Sequence, residues 1–328
     1  MNKFERDITY QGNTRMVGGV QTMRDADFGI LFERNSHLEV VKEFLGIKAE
    51  DIDKYEDHQV LHYTVPSGAI VAMTEVHGPA FAASGVERFI RSGVSHVIRV
   101  GTCGALDEKI KPWDIVVNDA SIIDEGTSMK YKEKKRRFVK SILDELICPL
   151  GFINHIYEKL PKVIKSLLRF LDKDPYGHFT SFSAPLMDEI LIKAIEIRLK
   201  GSDTRLHKAM NYTGCARYLQ NKEVISRIMK DMPIKTIDME TSSILSSSAF
   251  HGISASIINI RIDSPMSDEY KKSQVASIKS TFYGIPNHEL YSEIIPNRIK
   301  LCTEAILSVF SEISVEEGYP LLVSSEKK

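Results

Sequence analysis

Apolar residues recur along this chain with two periods, and the alternation between them lays out its elements. Phe28 to Phe32 is a short unbroken apolar run, which predicts a buried strand. His37 to Leu45 follows with Leu38, Val41 and Leu45 on one helical face, and Gly46 ends it. Ile70 to Val76 is β-rich, Gly78-Pro79 opens a helix through Arg91, Gly93 stops it, and Ser95 to Val100 is the next strand. Strand, helix and strand within about 30 residues predict a βαβ unit, a parallel pair with a right-handed crossover. Its strand ends would present the loops at His77-Gly78 and Gly101–Gly104 side by side.

Further on, Asp114 to Asn118 and Ala255 to Ile262 read as strands, and the small residues from Ser242 to Phe250 as a helix stopped by Gly252. A helix from Asn297 would bury Cys302, Ala305, Ile306, Val309, Phe310 and Ile313. Residues 1–27 are polar and irregular, and the tail beyond Glu316 should fray. The prediction is a single α/β domain over residues 1–328, with a central mixed, largely parallel twisted sheet flanked by helices.

One stretch interrupts that plan between about 130 and 178. Lys130, Lys132, Lys134, Lys135, Arg136, Arg137 and Lys140 make a basic run. Ile153, Ile156, Tyr157, Leu160, Ile164, Leu167, Leu168 and Leu171 then recur at helical spacing. Two helices joined near Pro149-Leu150-Gly151 are expected, an inserted helical hairpin with a solvated basic face; a lid or an oligomer contact are the alternatives.

Composition narrows the class. Of 328 residues, 43% are hydrophobic and 27% charged, values that allow a sizeable core. A net charge of −1 supplies no field to attract nucleic acid or an anionic membrane, so neither is an expected partner. Cys103, Cys148, Cys215 and Cys302 are scattered without metal-ligand spacing, so no metal is expected and free thiols in a reducing compartment are. With no signal-like start and no apolar run approaching ~20 residues, the expected location is cytoplasmic.

Candidate chemistry concentrates at Thr236-Ile237-Asp238-Met239-Glu240-Thr241-Ser242-Ser243 and at Ile258-Asn259-Ile260-Arg261-Ile262-Asp263. Each stretch is an apolar strand ending in acid. Ligands in α/β sheets gather at the carboxyl ends of strands, so Asp238, Glu240 and Asp263 should converge on one crevice. The competing expectation is that Asp238 and Glu240 merely cap the helix that follows.

The first block, Asp238-Met239-Glu240 before a small-residue helix, resembles the ribose-binding Glu-Met-Glu signature of the nucleoside phosphorylase family. That family includes uridine phosphorylase, hexameric purine nucleoside phosphorylases and methylthioadenosine nucleosidase. A second block, Arg99-Val100-Gly101-Thr102-Cys103-Gly104, is similar to its Arg-x-Gly-(Ser/Thr)-x-Gly phosphate turn. Asp263 stands 263 − 240 = 23 residues beyond Glu240, where purine-acting members carry their catalytic Asp. The resemblance covers roughly residues 28–128 and 204–265.

The resemblance implies a nucleoside phosphorylase-like fold and phosphorolysis of a purine or uridine-type nucleoside to free base and ribose 1-phosphate. No cofactor is implied, with inorganic phosphate as co-substrate. Asp238, Met239 and Glu240 would hold ribose, Asp263 would protonate the leaving base, and Arg99, Gly101 and Thr102 would hold phosphate. His77, Cys103, Gly104 and Arg217 are further candidate base or sugar contacts. A homodimer or a dimer-based hexamer is implied.

Four features depart from the family pattern. Asp238 stands for Glu; the first strand runs into Glu33-Arg34-Asn35-Ser36-His37 without the usual glycine; no Arg occurs between Arg34 and Arg88; and Glu75-Val76-His77-Gly78-Pro79 replaces a Gly-rich turn. Arg99 has a structural alternative, burial against Glu75 or Glu87. A hydrolytic nucleosidase with Glu33 as base is therefore the alternative activity, and a nucleoside-binding paralogue of weak activity the third. Gly101-x-x-Gly104 is no Gly-x-Gly-x-x-Gly, which argues against a dehydrogenase.

Overall fold

The structure is a computed structural model. It describes residues 24–55, 58–128, 179–214, 225–226, 229–230, 232–263, 281–282, 285–286, 289–316 and 319–322. The expected hairpin at 130–178 and the candidate contact Arg217 lie outside these residues.

Ten strands form the main sheet: β1 Phe28–Phe32, β2 Ile52–Tyr55, β3 His58–Thr64, β4 Ile70–Glu75, β5 His96–Ala105, β6 Ile115–Asp124, β7 Phe179–Phe182, β8 Leu206–Gly214, β9 Ile234–Asp238 and β10 Ser254–Asp263. The helices that bear on the site are α1 Asn35–Leu45, α2 Pro79–Arg91, α3 Pro185–Leu199, α4 Thr241–His251 and α5 Ile295–Glu312. Among the described residues no helix is long and apolar enough to cross a membrane.

All five residues of β1 are buried, as expected of a strand covered on both faces. Phe28, Ile30 and Phe32 face a core shared with α1, α3 and α5, where Phe28 stacks on Phe310 with ring centroids 4.1 Å apart. Leu31 faces the other way, into a second core with Val86 and Phe89 of α2 and Ile244 and Leu245 of α4. Helices thus cover this part of the sheet on both sides.

The expected mixed α/β architecture is present, but the sheet differs in two respects. First, β4 and β5 are not neighbours: β1 lies between them, parallel to each. Second, parallel and antiparallel pairings are evenly represented. The pairs β1–β4, β1–β5, β5–β10, β6–β8 and β8–β9 are parallel, while β2–β3, β3–β4, β5–β9, β6–β7 and β6–β10 are antiparallel.

The reason is strand length. β5 runs on to Ala105, so one of its edges serves β1 over His96–Val100 and then β9 at Gly104 and Ala105, while β10 lies along its other edge. The pairings β5–β10–β6–β8–β9–β5 therefore close into a barrel. Register shifts between Arg261 and Asp263, Asn118 and Ala120, and Met210 and Asn211 mark irregularities where long strands bend.

Candidate functional site

Arg99 sits at the centre of the site and has no solvent exposure. Its Nη1 donates to Asp238 Oδ2 at 3.1 Å and to Asn259 Oδ1, and its Nη2 donates to Glu240 Oε2 at 2.7 Å and lies 3.7 Å from Glu33 Oε2. The guanidinium expected to face phosphate is turned inward, and its charge is already met by three carboxylates. The structural alternative held in outline, but the partners are Asp238, Glu240 and Glu33 rather than Glu75 or Glu87.

Gly101 makes this geometry possible. Residues i and i+2 of a strand share a face, and a Cβ at 101 would lie 2.4 Å from Arg99 Cζ and 2.6 Å from both terminal nitrogens. Gly101, Thr102, Cys103 and Gly104 belong to a continuous strand paired with β10, in place of the expected turn. Gly101→Ala should force the guanidinium off its carboxylates and cost about 1–3 kcal/mol through overpacking, more where an ion pair breaks. Urea unfolding measures it, and a variant as stable as the wild type would contradict the role.

Thr102 is engaged as well. Its backbone N–H and its hydroxyl both donate to Glu33 Oε2, at 2.5 Å. The expected anion nest is thus filled by the protein's own carboxylate, delivered from the end of β1. Burial raises the pKa of Glu33, but Arg99, Arg34, His37 and the Thr102 hydroxyl more than reverse this and hold it below the usual range. Glu33 is ionised at neutral pH. Beside it His37 is buried, and desolvation pushes its imidazole down to about 4, so it is neutral there.

Asp238 takes the capping role considered for it. The Asp238 side chain accepts from Asn211 Nδ2 at 2.7 Å, Thr213 Oγ1 at 3.0 Å, the Thr241 hydroxyl and the Thr241 amide at 3.3 Å. It anchors the start of α4, where an acid is favoured, and it is spent on the protein rather than on a sugar.

Glu240 bridges the Gly78 amide (2.8 Å, on Oε1) and Arg99 (on Oε2). Gly78 has φ 80°, a left-handed conformation that turns its N–H into the site and suits glycine. A carboxylate has about four lone-pair sites, so Glu240 retains capacity for a sugar hydroxyl. Burial pushes Glu240 up to about 7, with Arg99 and the Gly78 amide opposing and Glu33 and Asp238 reinforcing.

Met239, partly exposed, lies between the two acids, and His77 is exposed beside Gly78. Asp263 is buried at the end of β10, opposite Gly104, which is itself opposite Ile237 of β9. Two strand spacings, about 10 Å, therefore separate Asp263 from the Asp238 segment. Cys103 lies between them: burial, Asp238 and Asp263 together push its thiol well up, and it is inert as a nucleophile. Asp263 and the Asp238–Glu240 segment thus flank β5 from its two edges, on strands that run in opposite directions.

The sequence reading missed the barrel interior. Asn118 of β6, Asn211 of β8, Thr236 of β9 and Asn259 of β10 are fully buried and hydrogen-bonded to one another around Arg99 of β5. Each of the five barrel strands contributes at least one residue to this network, and β8 and β9 add Thr213 and Asp238. A signal was available: Asn118 and Asn259 each adjoin apolar strand residues, in Val116-Val117-Asn118 and Ile257-Ile258-Asn259-Ile260, and a buried amide needs partners. Among the described residues no group of His, Cys, Asp and Glu is arranged to hold a metal ion.

Solved structures share this fold. Uridine phosphorylase from Vibrio fischeri matches with TM-score 0.55 at 13% identity, over 87% of this chain and 92% of that one. The 5′-methylthioadenosine/S-adenosylhomocysteine nucleosidase of Helicobacter pylori matches with TM-score 0.56 at 12% identity, over 86% and 98%. Futalosine hydrolase from Helicobacter pylori matches with TM-score 0.54 at 14% identity, over 85% and 97%. At such identities the likeness carries the fold alone. No curated protein sequence matches the chain. The sequence profile of the phosphorylase superfamily, however, matches residues 41–283, well over half of the chain's length. The chain therefore belongs to the phosphorylase superfamily.

Proposed function

We propose that the chain cleaves the N-glycosidic bond of a nucleoside, and that water rather than phosphate is the nucleophile. One observation carries the choice: Glu33 occupies both Thr102 donors, and Arg99 is matched by Asp238, Glu240 and Glu33. A phosphate entering here would meet three carboxylates, Glu33, Asp238 and Glu240, against Arg99 and Arg34, the latter 3.3 Å from Glu33 Oε1. At an effective dielectric of about 20, each like-charge pair at 4 Å costs about 4 kcal/mol. Water carries no such penalty.

In this reading Glu240 accepts hydrogen bonds from ribose hydroxyls, and Met239 packs on the sugar. As the C1′–N bond lengthens, positive charge grows on the ring, as in other oxocarbenium-like reactions. Ionised Glu33 opposes that charge and accepts a proton from the attacking water. Asp263 donates a proton to the departing base, which favours a purine because its N7 can receive one. The water oxygen bonds to C1′, and the products are ribose and free base. No cofactor is required. We further propose that the chain works as a homodimer, which light scattering tests.

The phosphorolytic reading separates from this one in a single assay. Purified protein is offered inosine, adenosine, methylthioadenosine and uridine, each with and without phosphate. Base release at the same rate without phosphate, with free ribose as the sugar product, is expected. Release only with phosphate, giving ribose 1-phosphate, would overturn the choice of nucleophile. Binding without turnover would overturn the enzymatic reading altogether.

A further inference from the structure

We propose that Asn118 is a positioning residue: it fixes the polarity of the hydrogen-bond network inside the barrel and so holds the Arg99 guanidinium against Glu240. The inference rests on the reading of Glu240 as the sugar-holding acid.

The direction of every bond follows from one backbone carbonyl. Asn118 Nδ2 lies 3.0 Å from the Ala209 carbonyl oxygen, which can only accept. The amide end of Asn118 is thereby assigned, and its Oδ1 must face the other way, toward Asn259 Nδ2 at 2.8 Å. That bond assigns Asn259 in turn, leaving its Oδ1 as the acceptor for Arg99 Nη1.

A second branch leaves the same amide. Asn118 Nδ2 also donates to Thr236 Oγ1 at 2.8 Å, so the Thr236 hydroxyl proton is free to go to Asn211 Oδ1 at 2.9 Å. Asn211 Nδ2 then points at Asp238 Oδ1, at 2.7 Å. One branch ends in an acceptor facing the cation, and the other ends in a donor facing the anion. Reversing the Asn118 amide would reverse both and set two carbonyl oxygens against each other. Asn118 reaches Arg99 and Asp238 only through these intermediates, yet both arms of the ion pair depend on it.

The consequence for Glu240 has a sign. If Asn259 is released, Arg99 Nη1 keeps only Asp238, and the guanidinium can tilt away from Glu240 Oε2. Glu240, faced by Glu33 and Asp238 and by the Gly78 amide, then loses the cation that opposes its protonation. Its titration midpoint should rise.

The test uses the full chain, with glutamate carboxyl carbons labelled and Glu240 assigned by its loss in Glu240→Gln. Asn118→Leu removes both branches and Thr236→Val only the second. In Thr236→Val, which leaves the Asn118–Asn259–Arg99 branch bonded, the midpoint of Glu240 should stay nearly in place; in Asn118→Leu, which releases Asn259, it is expected to rise by about one unit. The acid limb of the kcat profile should move with it, and kcat should fall by roughly ten- to a hundredfold at little change in KM. Ser247→Ala, which removes a buried hydroxyl bonded to the Ser243 carbonyl within α4, controls for mere loss of a buried hydrogen bond. It should leave the midpoint in place.

A folded Asn118→Leu with an unmoved Glu240 midpoint would overturn the proposal; should that variant fail to fold, Asn118→Ala, which also releases Asn259, decides it by the same readout. Because the titration needs no substrate, the two readings fail separately. A shifted midpoint in a protein that cleaves no nucleoside upholds the positioning role and removes the enzymatic reading. An active enzyme with an unmoved midpoint does the reverse.

Discussion

Replacing Arg99 by methionine should cost the folded state about 3–5 kcal/mol, the usual penalty for leaving buried charges without their partner. Methionine fills much of the same volume, so the loss is electrostatic rather than a cavity. Asp238 and Glu240 would lose their guanidinium, and of its cations Glu33 would keep only Arg34, 3.3 Å from its Oε1. Two of them are already described by opposite shifts: Arg99 holds Glu33 down and opposes the burial that pushes Glu240 up. Without it both should bind protons more readily when folded than when unfolded. A group whose folded pKa is raised contributes stability at low pH and loses it as pH rises through the folded value. Arg99→Met should therefore be least handicapped near pH 4 and most handicapped above about 7. Urea unfolding across that range measures the slope, and a pH-independent loss would show that the carboxylates do not depend on the guanidinium.

That network also explains where the sequence was legible and where it was not. Local elements were readable because their signals are local. The apolar run of β1, the staggered face of α1 closed by Gly46 at φ 62°, and the small-residue helix α4 closed by Gly252 at φ 72° all stand where the pattern placed them. By contrast α3 escaped notice. Its buried face is interrupted by Asp188, and Leu186 and Ile197 are exposed on the other side, so no clean stripe marks it.

Barrel closure was unreadable for a different reason. It depends on β5 serving β1 and β9 along one edge while β10 takes the other, and only register decides that. The same holds for Arg99. Its type and spacing marked it as a site residue, but its partners lie 139 and 141 residues away, and nothing local says whether a strand arginine faces solvent or acids. Glu33 was visible as a departure at the end of the first strand. Its consequence became visible only with the Thr102 donors in place.

Glu33→Gln should lower the turnover of a hydrolytic enzyme by about 10²- to 10⁴-fold, the range for loss of a general base. The substitution keeps the shape and one acceptor oxygen, so Thr102 can stay bonded, and the buried negative charge is removed. Burial alone would raise the Glu33 pKa, but Arg99, Arg34 and the Thr102 hydroxyl hold it below the usual range, so the fold favours its anion and the substitution should cost some stability as well. Under the phosphorolytic reading the same change acts in the opposite direction. Removing a carboxylate beside Thr102 and Arg99 would make room, electrostatically, for an anion. Phosphate should then bind better and base release should speed up. Glu33→Ala sharpens the contrast, since it vacates the Thr102 N–H and hydroxyl outright. If water is the wild-type nucleophile, this variant is slow, and a small carboxylate such as formate should restore part of its rate by taking the empty place. Initial rates for both variants, with formate, with phosphate and with neither, decide the matter. A rate in Glu33→Gln equal to or above that of the wild type would remove Glu33 from the chemistry and return phosphate to the site.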